Sequence, residues 1–342
     1  MSTENKLITF CVPSYNSEEF LHYALDSLKG FADIEVLIID DGSKDNTLEV
    51  AKKYEGEDPS VFVAVHQENK GHGGAINTAL SLAKGEYFKV LDSDDWVDHD
   101  AMEKLMAFLR DKTQERPDLI LMDYVYQQGR DNPTTRIHFN HYFETNKTVP
   151  LTSMKHHMKI QDNVTLHSSI YKTELLRKCE LSLPEHCSYE DNYFVYVPLG
   201  YINTVAYLPE PLYQYLIGRD GQSMNYDTCV RKYRDFIKCG ELIFKAHDIM
   251  KFQKTDKKRF ILIKHHLMLS MLFAVMYPQL KRTEEALKDM NDFMEECKKF
   301  NPEQFELCRK DLRVSTFFHK GKPHYNTSRF WYKLAHLFVG FS

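Results

Sequence analysis

Asp92 and Asp94 stand two residues apart, directly after the apolar run Tyr87-Phe-Lys-Val-Leu91. Paired carboxylates at a strand end suit a hard divalent cation. Mg2+ or Mn2+ takes one or two protein carboxylates and leaves the rest of its shell to water and ligand phosphates. An acidic turn capping the next helix is the plainer reading of the same residues. A second pair, Asp40-Asp41, ends another apolar run, Ile34-Glu-Val-Leu-Ile-Ile39. A carboxylate there can accept from the N–H of a pyrimidine ring. Between the pairs lies Asn69-Lys-Gly-His-Gly-Gly-Ala-Ile-Asn77. Its glycines Gly71, Gly73 and Gly74 let a backbone approach a ligand closely, and a helix start favours phosphate. The G-x-G-x-x-G and P-loop spacings are both absent from this segment.

These residues need strands to carry them. Leu7–Val12, Ile34–Ile39, Val61–Val65 and Tyr87–Leu91 read as strands, with Pro13 stopping the first. Helices are expected between them: one capped by Asn16 with Glu19 in capping-box position and ended by Gly30, one over Thr47–Tyr54, and one from after the Gly71–Gly74 turn to Lys84. Such alternation implies a mostly parallel sheet wrapped by helices, with ligands bound beyond the carboxyl ends of the strands. The polar clusters sit at those ends, and Asp100 is expected to cap the helix that follows the last of them. Leu119–Met122 is strand-like. From Tyr226 the pattern turns helical, with an apolar face at Tyr226, Val230, Tyr233, Ile237 and Phe244 and further helices near 256–277, 283–299 and 327–340.

The chain has 342 residues and a net charge of -5, enough for one large or two modest domains and too acidic to be built for gripping a nucleic-acid backbone. Seven scattered cysteines without a C-x-x-C argue against a disulfide framework or a zinc site and for a reducing compartment. Met1-Ser-Thr-Glu-Asn-Lys6 has no signal-peptide pattern, so a cytoplasmic location is expected. The apolar stretch Leu267–Tyr277 is too short to span a bilayer and reads as a buried core helix. The adjacent pairs His156-His157 and His265-His266 read as surface or packing residues.

The ordered set Val12-Pro-Ser-Tyr-Asn16, Ile39-Asp-Asp-Gly-Ser-Lys-Asp45, Asn69–Asn77 and Leu91-Asp-Ser-Asp-Asp-Trp96 resembles family 2 glycosyltransferases of the GT-A fold, bacterial surface-polysaccharide type. The resemblance is strong over the first 100 residues or so and looser to about 225. It implies an α/β GT-A fold, Rossmann-like with a mostly parallel mixed sheet, and an inverting transfer from a nucleotide-sugar. Residues 1–105 would be the nucleotide-sugar half, 106–225 the acceptor half, and 226–342 a C-terminal helical region.

The resemblance also implies roles. Pro13, Tyr15 and Asp41 would line the base and ribose pocket, with Gly71, Gly73 and Gly74 beside the donor. Asp92 would face the ribose or donor sugar. Asp94 would hold Mn2+ or Mg2+ against the diphosphate, and Asp95 would hold the loop by capping. In Ser188-Tyr-Glu-Asp-Asn-Tyr-Phe194, Asp191 would take the acceptor's proton, with Glu190 the second candidate and a helix cap the plainer reading. In Gly218-Arg-Asp-Gly-Gln-Ser-Met224, Arg219 would meet the diphosphate, and Gln222 and Ser223 would bond the sugar or order the loop. His72 and His167 are further candidates to touch donor or acceptor.

The expected donor is a UDP-sugar carrying a hexose or N-acetylhexosamine, and the expected acceptor a glycan or a lipid-linked glycan. A dTDP-rhamnose donor, or a non-catalytic nucleotide- or sugar-binding module, is the alternative. The basic tail from Lys310 carries an apolar stripe, Phe330, Trp331, Leu334, Leu337, Phe338 and Phe341, flanked by Arg329 and Lys333. That layout suits a helix lying on anionic lipid, or one docking on the core.

Overall fold

The computed structural model describes residues 6–129, 132–156, 163–218, 225–319, 322–323, 326, 329–330 and 332. The chain divides into two compact units. The first takes the described residues of Met1–His156, Val164–Cys187 and Tyr201–Ile217; the second takes those of His157–Asn163, Ser188–Gly200 and Gly218–Ser342. Segment 1–105 therefore lies wholly in the first unit and 226–342 wholly in the second, while 106–225 contributes to both.

The first unit alternates as its sequence pattern requires: β1 (Ile8–Ser14), α1 (Leu21–Ser27), β2 (Ile34–Asp40), α2 (Thr47–Glu57), β3 (Phe62–His66), α3 (Gly71–Leu82) and β4 (Tyr87–Val90). It continues through β5 (Trp96–Val97), α4 (His99–Arg110), β6 (Leu119–Gln127), β7 (Pro133–Ile137), β8 (Thr148–Pro150), β9 (Ser169–Lys172), α5 (Thr173–Lys178) and β10 (Thr204–Leu216). The sheet order is β3-β2-β1-β4-β9-β6-β10-β5, with β7 on β6 and β8 on β10. β1, β2, β3 and β4 run parallel, as do β6 and β10, while β9 is antiparallel to both of its neighbours. This is the mixed, mostly parallel α/β sheet expected of the GT-A fold.

Burial on both faces explains the near-continuous apolar strands. Ile8, Phe10 and Val12 share one buried cluster with Leu25 of α1, Ala51 of α2 and Met102 of α4. α3 packs on β1 and β2 without joining that cluster and so covers the opposite face.

Several local expectations are corrected. Pro13 does not end β1, because β4 pairs only as far as Cys11; beyond it β1 has β2 alone as neighbour and tolerates a missing N–H. Asn16 caps no helix: its φ is 49°, and its Oδ1 accepts from the Lys44 N–H at 2.8 Å, tying two strand-end loops together. The glycines from Gly71 to Gly74 are not a turn before a helix but the first turn of α3 itself. Gly71 holds φ 77°, and a Cβ there would lie 3.0 Å from the His186 nitrogen, so a side chain would be both strained and crowded. Asp98, not Asp100, caps α4, accepting from the Ala101 N–H at 2.9 Å.

The second unit is helical: α6 (Asp191–Leu199), α7 (Tyr226–Arg231), α8 (Tyr233–Ala246), α9 (Ile249–Thr255), α10 (Lys257–Lys281), α11 (Glu284–Phe300), α12 (Pro302–Lys310) and α13 (Leu312–Ser315). The expected helix from Tyr226 is broken at Lys232, and the face buried on α8 is Tyr233, Phe236, Cys239, Gly240, Ile243 and Phe244. α10 has 25 residues, longer than its central apolar run suggested, and by length and composition alone it could cross a membrane. Yet 61% of its apolar window is buried, and it packs on α6, α7, α8, α9, α11 and α13, which makes it the core of this unit. His265 and His266 are buried within it. All seven cysteines are buried thiols, none in a disulfide. The apolar positions Trp331, Leu334, Leu337, Phe338 and Phe341 of the tail stripe lie outside the described residues, while Phe330 is exposed.

Candidate active site

The strand ends of the first unit are knitted together by their own polar side chains. Asp41 is 2% exposed, and its carboxylate accepts from Gln67 Nε2 at 2.6 Å and from the Lys70 and Gly71 N–H groups, both at 2.8 Å. The residue expected to line a base pocket thus also holds the start of α3, using backbone donors that no helical carbonyl can reach. Asp40, equally buried, accepts from the Ser43 N–H at 3.2 Å and pairs with His66 Nδ1 at 2.6 Å. Pro13 is buried in β1, and Tyr15 just beyond it is 49% exposed. The Tyr15 N–H reaches Ser17 Oγ at 3.3 Å, and Ser17 Oγ lies 2.8 Å from Ser93 Oγ inside the Asp92–Asp94 segment.

The Asp92–Asp95 loop is clamped from several sides. His72, in the first turn of α3, places Nε2 3.0 Å from Asp92 Oδ1. The buried Tyr213 hydroxyl lies 2.6 Å from Asp95 Oδ2 and 3.2 Å from Asp92 Oδ2. The Leu216 N–H donates to Asp95 Oδ1 at 2.8 Å. Asp95 therefore holds the loop as expected, but by fastening it to β10 rather than by capping a helix. Asp94 sits half-buried between these two anchored carboxylates.

The electrostatics follow from this packing. Burial alone would raise Asp92, but the His72 bond and charge hold it at about 2. Burial and the Asp92 charge push Asp95 well above the usual carboxylate range. Beneath them Lys89 is fully buried, and burial pulls its ammonium down to about 7 although Asp92 and Asp95 oppose this. Burial likewise brings His167 to about 4, against the Asp92 charge and helped by Lys89 and His72. Ligand atoms of Asp92, Asp95 and His167 all lie within 4.8 Å of one another.

The structure thus brings together the Tyr15 loop, Asp41, Gly71, His72, Asp92, Asp95 and His167. Gly73 and Gly74 follow in α3, both buried. Glu190 and Asp191 belong to the second unit. Glu190 precedes α6 and is 3% exposed, while Asp191 is its first residue and half-buried. Their segment is bolted to α8: Tyr189 stacks on Phe236 at 3.7 Å, and the Ser188 N–H donates to Asp235 at 3.1 Å. Arg219, Gln222 and Ser223 lie outside the described residues. Sequence reasoning missed Lys89 and Tyr213. A lysine inside an otherwise apolar, doubly covered strand was the available signal for the first; nothing local announces the second.

Comparison with known proteins bears on the family and the fold. The family described as Glycosyl transferase family 2 matches residues 9–174. EpsH of Bacillus subtilis (strain 168) is 28% identical over 225 residues, 63% of this chain and 62% of its own length. Poly(ribitol-phosphate) beta-N-acetylglucosaminyltransferase TarS of Staphylococcus aureus (strain Mu50 / ATCC 700699) is 28% identical over 219 residues, 63% of this chain and 36% of TarS. The matches thus span less than two thirds of either relative. The S. aureus TarS 1-349 structure with UDP-GlcNAc superposes with a TM-score of 0.58 at 21% identity, covering 96% of this chain and 92% of that one. The mannosyltransferase PcManGT from Pyrobaculum calidifontis, solved with GDP-Man and Mn2+, gives 0.51 at 14% identity, covering 96% and 86%. Residues 9–174 therefore match glycosyl transferase family 2, and the fold is the GT-A fold of these glycosyltransferase structures.

Proposed function

We propose that the chain is an inverting, metal-dependent glycosyltransferase that moves a hexose or N-acetylhexosamine from a UDP-sugar to a hydroxyl of a glycan or lipid-linked acceptor in bacterial surface-polysaccharide synthesis. The observation that carries this is the anchored Asp92–Asp95 loop facing the α3 N-terminus, within a family 2 domain. The TarS relative's name and its UDP-GlcNAc complex favour UDP over other nucleotides. Asp94 would hold Mn2+ or Mg2+, and Asp92 would face the ribose or donor sugar. The oxygens of Asp95 are already taken by Leu216 and Tyr213, which suits that residue better to holding the loop. The ion, when bound, neutralises charge on the leaving diphosphate. Tyr15, Pro13 and the Asp41-held turn would shape the nucleoside pocket, Arg219 would meet the diphosphate, and Gln222 and Ser223 would bond the sugar or order the loop. Asp191 would draw the proton from the attacking hydroxyl, and Glu190 would set the start of α6.

Calorimetric titration of the whole chain with UDP, dTDP and GDP, each with and without Mn2+, tests this reading. UDP is expected to bind tightest, and only well with Mn2+. Preference for dTDP would move the reading to a rhamnosyltransferase, and no nucleotide binding would end it. We place the protein in the cytoplasm, with its basic tail docked on the core or, as the alternative, laid on anionic lipid at the inner face of the membrane. A tail on lipid makes the full chain sediment with phosphatidylglycerol vesicles at low salt and leave them at high salt. No sedimentation at low salt assigns the tail to packing.

A further inference from the structure

We propose that His167 recognises the sugar ring of the donor and that Lys89 is the positioning residue that holds it there. This rests on the reading of the Asp92 loop as the donor site.

Lys89 lies in β4, three residues before Asp92, with no exposed surface. Its ammonium donates to the Leu166 carbonyl at 2.7 Å and to the His167 carbonyl at 2.8 Å, and it sits 4.8 Å from the centre of the Tyr213 ring. Burying an ammonium is unfavourable unless its protons find partners. A leucine or methionine would fill the same space without that cost. What the ammonium adds is a grip on two successive carbonyls, and those belong to the turn that leads into β9. The Ser168 and Ser169 N–H groups close that turn onto the Thr165 carbonyl at 3.2 and 3.1 Å.

The turn delivers the His167 ring into a box of tyrosines. It stacks on Tyr215 at 4.4 Å and 21°, meets Tyr213 edge-on at 4.8 Å, and lies 5.4 Å from Tyr124. A ring nitrogen sits within 4.8 Å of the Asp92 and Asp95 carboxylates, and the residue remains half-buried rather than enclosed. An imidazole fixed beside carboxylates matches a ring bearing hydroxyls: one hydroxyl donates to a carboxylate while a neighbour accepts from the ring N–H. The half-buried Tyr215 ring beside the imidazole suits the C–H face of the same sugar ring. A diphosphate fits poorly on this side, because the Asp92 carboxylate, held ionised, repels it. His167 is therefore placed for the neutral part of the donor.

The test compares wild type, His167→Ala, Lys89→Met and the double variant. Each is titrated, with Mn2+ present, with UDP and with whichever of UDP-Glc, UDP-Gal, UDP-GlcNAc, UDP-GalNAc and UDP-GlcA wild type binds most tightly. UDP affinity is expected to stay within about twofold of wild type, while affinity for the sugar nucleotide falls about tenfold in each single variant, the scale of one lost hydrogen bond to a charged site. The double variant should be no weaker than His167→Ala alone, because Lys89 acts through His167. Should Lys89→Met fail to melt cooperatively, Lys89→Gln, which keeps one donor for the carbonyls, is expected to fall between wild type and His167→Ala. Unchanged sugar-nucleotide affinity in His167→Ala overturns the proposal. So does an equal loss for UDP and UDP-sugar, which would make His167 part of the metal or nucleotide site, and so do additive losses in the double variant. Wild type binding UDP but no UDP-sugar also overturns it, whereas failure of wild type to bind UDP at all removes the donor-site reading itself.

Discussion

With Asp191 replaced by asparagine, turnover is expected to fall by roughly two to four orders of magnitude, the scale of losing a general base. The substitution keeps the size of the side chain and the start of α6 but removes the lone pair that takes a proton. The Asn192 Nδ2 bond that Asp191 Oδ1 accepts at 3.1 Å can be accepted by the asparagine oxygen as well. Tyr189 stays stacked on Phe236, and Ser188 stays fastened to Asp235 and to Lys232, whose Nζ lies 2.7 Å from Ser188 Oγ. Melting temperature and UDP affinity should therefore hold while the rate collapses. The readout is UDP released from the selected UDP-sugar in the presence of an acceptor glycan mixture. Glu190 supplies the control. It is 3% exposed at the residue before α6, whereas Asp191 is half-buried and better placed to meet a hydroxyl. Glu190→Gln should cost stability more than turnover. A normal rate in Asp191→Asn beside a dead Glu190→Gln would move the base by one residue.

The strands that carry the site were legible because their chemistry is local. Ile34–Ile39 is apolar but for Glu35, and the run stops where Asp40-Asp41 begins, so both the strand and its loaded end could be read from order alone. The helix ends were less legible. Asn16 has the composition of a cap, but a side-chain amide serves equally well to bridge loops, and its actual partner, the Lys44 N–H, lies 28 residues away. The Asp92 loop shows the same limit at the site. That carboxylates cluster there is written in Asp-Ser-Asp-Asp. Which of them is spent inside the protein is decided by Tyr213 and Leu216, more than a hundred residues later in a strand whose register no local pattern sets. The division of the chain was hidden for a related reason. Residues 188–200 leave the sheet-bearing unit and return to it at Tyr201, so the boundary in space is crossed repeatedly by the sequence.

That distribution of partners fixes what Asp94→Ala should do. Asp92 is bonded by His72 and approached by Tyr213, and Asp95 has both oxygens bonded within the fold. Asp94 lies between them on a loop that these bonds hold rigid, half-buried rather than sealed. Removing its carboxylate should leave the clamps on Asp92 and Asp95 in place. Mn2+-dependent UDP affinity should fall roughly tenfold to a hundredfold, the scale of disabling a metal-site partner, and metal-free UDP affinity should not change. EDTA should bring wild type down to the level of the variant and leave the variant where it was. Asp95→Ala separates the two acidic positions. It strands the Leu216 N–H and the Tyr213 hydroxyl, so it should lower the melting temperature by unfastening β10 from the loop, because a buried donor left unpaired is destabilising. If Asp95→Ala abolishes the Mn2+ dependence while Asp94→Ala keeps it, the ion belongs to the interior cluster of Asp92, Asp95 and His167 instead. Full transfer by Asp94→Ala in EDTA would mean that the chain works without a divalent cation, and the charge on the leaving diphosphate would then have to be met by Arg219 and the α3 N-terminus.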